Sequence, residues 1–314
     1  MGLLYLKVTN RCNIRCSHCF VDDVDGDMGQ EVMSVAVEKY PASRVVFHGG
    51  EPGLVGTDYI RNSIALMGDR DYFIQSNLIV VPDKFPELIN DCFDGKVGTS
   101  FDYFRLSFLS TWLRNVLHLS LSGIKVYSII TVSQEFSLSG LERYISLFEK
   151  AGGAGFQLQM VRPIKTAPVT ADHYLAIYDA LKEHPLNMLY SGGSGFIPGC
   201  GLWGIERGGN CSGNGVRTIE PNGDVYVCPL FAGQKVFKVG NILDSHFSDS
   251  VLSPGNKVFY DWENALSSED SKAFGDVCHG ECVSMDFFAN KSLVYGNDPF
   301  CDVYRKIFGT EKCA

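Results

Sequence analysis

Three cysteines stand close together near the start of the chain, in the stretch RCNIRCSHCF. Cys12, Cys16 and Cys19 are four and then three positions apart. Proteins use thiolates to bind zinc and iron-sulfur clusters, and such sites normally take four protein ligands. A 4Fe-4S cluster held by three thiolates leaves one iron free to bind a substrate or a cofactor. The three cysteines therefore predict a metal site with one open position.

A zinc site and a set of buried thiols stay open as alternatives for these three residues. Zinc sites usually combine C-x2-C pairs, and a spacing of x3 followed by x2 fits that pattern poorly. The matching alternative for the whole chain is a non-catalytic zinc-binding interaction module. Such a module would be colourless and loaded with zinc.

The elements that must position these residues follow from the hydrophobic pattern of the first 190 residues. Six apolar runs bounded by Gly, Ser, Asn or Pro predict strands: LLYLKV, SRVVFHGG, DYFIQSN, KVGTSF, KVYSIITV and GFQLQMVRP. Segments with apolar residues three and four positions apart lie between them and predict helices. Such alternation predicts a parallel α/β sheet with right-handed crossovers. Six strands suit an incomplete barrel, a partial (β/α)6 TIM barrel.

The composition changes after Pro185, where a glycine-rich stretch favours loops. We therefore predict two domains, the barrel at 1–190 and a small loop-rich domain at 191–314. One hairpin is expected in the second domain, with its turn at Asn222-Gly223, and little else there predicts regular structure. The second domain holds seven of the eleven cysteines. Metal is expected to hold it together because its hydrophobic core would be thin.

Charge and composition exclude several classes of protein. Lys and Arg number 27 against 36 Asp and Glu, a net charge of −9, which argues against binding to a nucleic-acid backbone. No export signal and no membrane span are apparent. We therefore expect a cytoplasmic protein with no membrane partner. In that reducing compartment, clustered cysteines indicate metal or catalysis more often than disulfides.

A second motif, HGGEPGL, ends the second predicted strand. Together with the cysteine loop after the first strand, it makes the chain resemble the radical SAM enzymes. The resemblance implies that S-adenosylmethionine chelates the fourth iron of the 4Fe-4S cluster and is cleaved to a 5′-deoxyadenosyl radical. It also implies that Gly49 and Gly50 let the backbone approach the methionine moiety, and that Glu51 accepts from its ammonium group. An ordinary glycine-rich turn is the alternative.

Four further residues are assigned to the cofactor by the same resemblance. FIQSN stands where members often read QTNG, which implies a role for Asn77. TSFDYF stands where they read S-x-D-G, which implies Ser100 and Asp102, and Phe20 stands where an aromatic residue packs near adenine. The alternatives are strand-end turn residues for Ser100 and Asp102, and an ordinary buried side chain for Phe20.

The cysteines of the second half resemble a SPASM domain, the auxiliary iron-sulfur domain of radical SAM enzymes that modify peptides and proteins. Eleven residues separate Cys211 from Gly223 and four separate Gly223 from Cys228, as in the motif that opens that domain. VGNILD then matches the GNI segment that usually follows. Carried over by position, four cysteines would hold one auxiliary 4Fe-4S cluster: Cys200, Cys211, Cys228 and Cys282.

A second auxiliary cluster lacks half of its ligands. Cys278 and Cys301 match the SPASM pattern, whereas Glu269 and Lys272 stand where two more cysteines are expected. We therefore predict that this second cluster is absent or unusually ligated. Small buried thiols are the alternative for Cys278 and Cys301.

The resemblance limits the reactions that the chain is expected to catalyse. Pro229 replaces the Asp that sulfatase-maturing relatives use as a base, which argues against formylglycine formation. The expected function is oxidative cross-linking or another modification of a ribosomal peptide. The alternative is a radical SAM dehydrogenase or epimerase acting on a small molecule such as an aminocyclitol or a sugar.

The expected partners are the substrate and an electron donor such as a flavodoxin or a ferredoxin. Because the first predicted strand starts at about Leu3, we expect a leader peptide to bind the barrel, the second domain or a separate leader-peptide recognition protein. Arg162 ends the sixth strand, at the barrel edge where substrates bind, and is a candidate to grip a carboxylate. A salt bridge to the barrel rim is its alternative.

Overall fold

Strands and helices alternate through the first half of the chain. The computed structural model describes residues 2–19, 21, 26–161, 164–167, 169–187, 216–250 and 252–266. The barrel strands are β1 (Leu3–Thr9), β2 (Arg44–Gly49), β3 (Asp71–Ser76), β4 (Lys96–Asp102), β5 (Lys125–Val132) and β6 (Gly155–Met160). The helices are α1 (Gln30–Lys39), α2 (Thr57–Met67), α3 (Phe85–Cys92), α4 (Leu109–Leu121), α5 (Leu138–Lys150) and α6 (Ala171–Leu181).

The six strands lie side by side in chain order and run parallel. Every residue of β1 is buried, as expected for a parallel strand covered on both faces. The described sheet does not close on itself, because β6 stands at one edge. The architecture is the predicted partial barrel. All six carboxyl ends point to one edge of the sheet, so the loops that follow β1 to β4 can meet there.

The predicted hairpin is present and continues the barrel sheet. It consists of β7 (Arg217–Ile219) and β8 (Asp224–Tyr226), and Gly223 in the turn has a φ of 85°, as such turns require. β7 pairs in parallel with β1, and β9 (Lys238–Asn241) pairs with β8. The hairpin therefore joins the edge of the barrel that carries the cysteine loop. The predicted domain boundary near 190 lies outside the described residues and stays a prediction.

Three regular elements are missing from the sequence-based prediction. Helix α1 buries only a short stripe, Val32, Met33 and Ala36, which gives little periodic signal. Strand β9 and helix α7 (Pro254–Leu266) correct the expectation that little beyond the hairpin is regular. The sequence pair Pro-Gly at the start of α7 is typical of a loop, although proline is well tolerated at the start of a helix.

Aromatic side chains fill the space between the sheet and helices α4 and α5. Trp112, Tyr144 and Phe148 are buried, and Phe101 of β4 stacks on Tyr144 with ring centroids 4.0 Å apart. The indole of Trp112 donates to Thr99 Oγ1 at 3.1 Å, so its polar atom is satisfied. Across the described ranges, no helix is long and apolar enough to cross a membrane.

A buried ion pair fastens the hairpin to the barrel. Lys7 of β1 is 2% exposed, and its Nζ lies 2.7 Å from each carboxylate oxygen of Glu220, which follows β7. We expect Lys7→Met to lower the free energy of unfolding by about 3–5 kcal/mol, because it leaves a buried carboxylate without its counter-charge. Urea unfolding measures this.

The matched control for this prediction is Lys257→Met. Lys257 pairs with Asp261 on the exposed face of α7, so its loss should cost about 1 kcal/mol or less. Equal stabilities of the Lys7 variant and the wild type would contradict the role given to the buried pair.

Candidate functional site

The cysteine loop leaves the carboxyl end of β1 and is fastened to the turn after β2. The amide of Gly50 donates to Thr9 O at 2.8 Å, and the amide of Glu51 donates to Arg11 O at 2.9 Å. Within the loop, the amide of Cys19 donates to Cys16 O at 3.1 Å, which closes a turn between these two ligand candidates. All three cysteines are free thiols and partly buried.

Gly49 and Gly50 are needed because the two backbones touch. A Cβ on Gly49 would lie 2.3 Å from Thr9 O, and one on Gly50 would lie 2.3 Å from Arg11 O. Gly49 also has a φ of 149°. Both glycines line the cavity beside the cysteines. Their first role is thus to hold the cysteine loop, and the predicted approach to a methionine moiety stays a prediction.

Glu51 braces the turns that surround the loop. Its carboxylate is fully buried and accepts from the amides of Gly53 and Asn77 at 2.9 and 2.6 Å and from Ser76 Oγ at 2.8 Å. Burial raises the pKa of this carboxyl, and the two amides oppose the shift. These three hydrogen bonds occupy most of the acceptor positions of the carboxylate. The predicted contact of Glu51 with an ammonium group stays a prediction.

Asn77 connects the end of β3 to the cysteine loop. Its Nδ2 donates to Asn13 Oδ1 at 2.8 Å and lies 3.7 Å from Cys12 Sγ. Its Oδ1 accepts from the amide of Ile79 at 2.8 Å, which fixes the orientation of the side chain. Asn77 therefore lies beside the first cysteine and lines the cavity, and its predicted role in binding the cofactor stays a prediction.

Ser100 and Asp102 lie at the end of β4 and hold two residues that the sequence analysis missed. Arg105 donates from Nη1 to Ser100 Oγ at 2.8 Å, and its Nε lies 2.9 Å from Asp102 Oδ2. His18, inside the cysteine loop, places Nε2 at 3.4 Å from the same oxygen and packs on the ring of Phe104. The one available signal for Arg105 was a basic residue close behind a strand-end carboxylate.

Burial opposes the loss of the protons that two of the thiols must release to bind metal. Burial raises the pKa of Cys12 and of Cys16, and Arg105 opposes the shift at Cys16. All three cysteines line the same cavity. In the described part of the chain, no three His, Cys, Asp or Glu side chains surround a single metal position. The thiolates of a 4Fe-4S cluster bind different irons, so such a cluster does not require that convergence.

A cavity of about 200 Å³ opens beside the three cysteines. Gly49, Gly50, Asn77 and Ser100 line it from the ends of β2, β3 and β4. A neighbouring cavity of about 180 Å³ occupies the barrel interior and shares several wall residues with the first: His48, Gln75, Ile129, Gln159 and Leu230. Cys228 and Pro229 line this inner cavity, so the hairpin segment reaches the barrel interior.

Cys228 is the one predicted ligand of the auxiliary cluster that lies within the described residues. Cys228 is partly buried and packs against the main core. The remaining predicted residues lie outside the described residues: Phe20, Arg162, Cys200, Cys211, Cys278, Cys282 and Cys301. The auxiliary cluster and the substrate contact of Arg162 therefore stay predictions.

Comparison with known proteins adds relatives at low sequence identity. No protein-family model matches the chain. The mycofactocin maturase MftC of Mycobacterium tuberculosis is 25% identical, across 94% of this chain and 81% of the relative. An uncharacterized protein of Methanocaldococcus jannaschii is 22% identical, across 78% of this chain and 90% of the relative.

Two crystal structures of Streptococcus suis SuiB show the same fold. SuiB bound to the precursor peptide SuiA superposes with a TM-score of 0.65 at 16% identity, covering 93% of this chain and 74% of SuiB. SuiB bound to S-adenosylmethionine gives a TM-score of 0.63 at 15% identity, covering 95% and 76%. The fold class predicted from the sequence is confirmed, and the relatives agree with the predicted resemblance to peptide-modifying radical SAM enzymes.

Proposed function

We propose that the chain is a radical SAM enzyme that modifies a ribosomally made peptide. The observation that carries this proposal is the three-cysteine loop, which is docked on the Gly49-Gly50 turn and opens onto a cavity at the strand ends. A maturase among the relatives and a structural neighbour bound to its precursor peptide favour a peptide as the substrate.

The residues present fit the cofactor that this proposal requires. Cys12, Cys16 and Cys19 are free cysteines that line the same cavity, so they would hold the 4Fe-4S cluster. Asn77 and Ser100 offer polar groups at the same wall. Bound there, S-adenosylmethionine would supply a 5′-deoxyadenosyl radical that abstracts hydrogen from the substrate.

The reacting part of the peptide would bind in the inner cavity. Its walls are mainly apolar, which helps to exclude water from a reactive radical. Gln75 Nε2 is buried without a hydrogen-bond partner among the described residues, and Gln75 lines both cavities. This amide would orient the cofactor or the peptide, because an unpaired buried donor is costly.

The cofactors and partners beyond this site belong to the same proposal. Cys228, with Cys200, Cys211 and Cys282, would bind one auxiliary cluster that receives an electron. A flavodoxin or ferredoxin would reduce the cluster of the cysteine loop. The leader of the peptide would be recognised by the barrel, by the second domain or by a separate protein.

The number of auxiliary clusters can be measured as iron. Two four-iron clusters in total predict about eight irons per chain after anaerobic reconstitution. We expect that value because Cys278 and Cys301 have too few partner cysteines for another complete set. About twelve irons per chain, which corresponds to three clusters, would contradict this expectation.

Hydrogen transfer from a peptide tests the proposed reaction. Short peptides encoded beside this chain are prepared fully deuterated and incubated anaerobically with the reconstituted protein, S-adenosylmethionine and dithionite. We expect deuterium in 5′-deoxyadenosine and a peptide that has lost a pair of hydrogens. Label that comes only from deuterated sugars or aminocyclitols would overturn the peptide assignment.

A further inference from the structure

Arg105 is a largely buried cation that reaches the cysteine loop from the end of β4. It lies on the 3₁₀ turn Tyr103–Phe108, and its side chain is 14% exposed. The Nε of Arg105 donates to Cys16 Sγ at 3.2 Å. No prediction from the sequence assigned a role to this residue.

Two hydrogen bonds to Ser100 and an ion pair with Asp102 fix the orientation of the guanidinium. Nη1 donates to Ser100 O at 2.7 Å and to Ser100 Oγ at 2.8 Å, and Asp102 Oδ2 lies 2.9 Å from Nε. Asp102 is 1% exposed, so it cannot swing towards solvent and release the arginine. The N–H group that faces Cys16 is therefore held in place before any metal is bound.

Within the cysteine loop, Cys16 and Cys12 have different side-chain donors. At Cys12, the neutral amide of Asn77 is 3.7 Å from the sulfur. At Cys16, the donor is charged and 0.5 Å closer, from the difference between 3.7 and 3.2 Å. Hydrogen bonds from charged donors are about twice as strong as neutral ones.

A hydrogen bond to a ligand sulfur affects the reduction of a cluster. Reduction adds one negative charge, part of which resides on the thiolate sulfurs, and a donor aimed at the sulfur stabilises that charge. Hydrogen bonds to the sulfurs are among the factors that set cluster potentials. Asp102 offsets the net charge of Arg105 but does not remove its N–H from the sulfur.

We propose that Arg105 is a positioning residue that hydrogen-bonds Cys16 Sγ and raises the reduction potential of the cluster held by the cysteine loop. This inference rests on the proposed function, because it requires that cluster. It adds that the end of β4 controls how readily the cluster accepts the electron that starts the reaction.

The test is a redox titration of the reconstituted full chain, followed by the EPR signal of the reduced cluster. We expect Arg105→Gln to lower the equilibrium constant for reduction about tenfold, which is about 59 mV for one electron. Arg105→Lys keeps the charge but loses the Nε–H donor, so the reduction potential of the cluster should also fall in this variant.

The control is Arg61→Gln. Arg61 pairs with Asp91 and lies near the Cys92 thiol, away from the site. The reduction potential of the cluster in this variant should match that of the wild type.

A second measurement does not depend on any variant. Wild-type protein containing arginine labelled with ¹⁵N only at Nε, so that the backbone nitrogens of the cysteine loop are silent, is reduced and studied by pulsed EPR, and we expect a ¹⁵N coupling to the cluster. Its absence would overturn the proposal, as would potentials of both Arg105 variants equal to the wild type. A wild-type protein that binds no iron would instead contradict the proposed function itself. A change confined to the apparent affinity for S-adenosylmethionine would show that Arg105 binds the cofactor, and would also overturn the proposal.

Discussion

Replacing Cys12, Cys16 and Cys19 together with alanine is expected to remove the reducible cluster of the barrel and to abolish cleavage of S-adenosylmethionine. The three thiols are the free cysteines that the structure brings to the wall of the cavity at the strand ends. Without them, no thiolate of the loop can bind iron, and the open coordination position is lost. If the proposed auxiliary cluster is present it would remain, so we expect the iron content to fall by about four per chain rather than to zero.

Cys92→Ala is the matched control for the triple variant. Cys92 is also a partly buried free thiol, but it ends α3 near Arg61 and does not line the cavity. Its loss should leave the EPR signal and the iron content unchanged. If the triple variant still shows a reducible barrel cluster, the ligand assignment is wrong.

Substitution of a single glycine should have the next largest effect. A Cβ on Gly50 would lie 2.3 Å from Arg11 O and 2.7 Å from Asn10 O, and both are backbone atoms of the cysteine loop that cannot rotate away. Gly50→Ala must therefore displace the loop or break the bond between the Gly50 amide and Thr9 O. Since a displacement of about 1 Å can reduce a rate about 100-fold, we expect at least that loss in formation of 5′-deoxyadenosine.

The measurement for Gly50→Ala is the initial rate of 5′-deoxyadenosine formation at equal iron content. Gly29→Ala is its control, because Gly29 precedes α1, has a φ of −72° and has nothing within 4 Å of an added Cβ. We expect the control to have the wild-type rate. A Gly50 variant as active as the wild type would show that the close approach of the two loops is not required.

Most of the strands and turns that carry the site can be predicted from local sequence patterns. The six barrel strands have strong apolar runs, and Asn222-Gly223 is a strong hairpin signal, so both are predicted correctly. The cysteine loop also follows β1 as expected. Helix α1 and helix α7 are missed because a short apolar stripe and a leading Pro-Gly pair hide their periodicity.

Contacts between distant segments account for what the sequence could not predict. Glu51 and Gly50 belong to a recognisable motif, but only the fold reveals that their main partners are Ser76, Asn77 and the backbone of the cysteine loop. Arg105 lies 89 positions from Cys16, and no local pattern relates them. The pairing of β7 with β1 likewise joins segments that the sequence separates into two domains.

The central claim is that the cysteine loop and the turn after β2 form a site that cleaves S-adenosylmethionine. The most direct test is anaerobic incubation of the reconstituted protein with S-adenosylmethionine and dithionite, with 5′-deoxyadenosine measured by mass spectrometry. We predict 5′-deoxyadenosine from the wild type and none from the triple cysteine variant. A colourless wild type that contains zinc and forms no 5′-deoxyadenosine would contradict the claim.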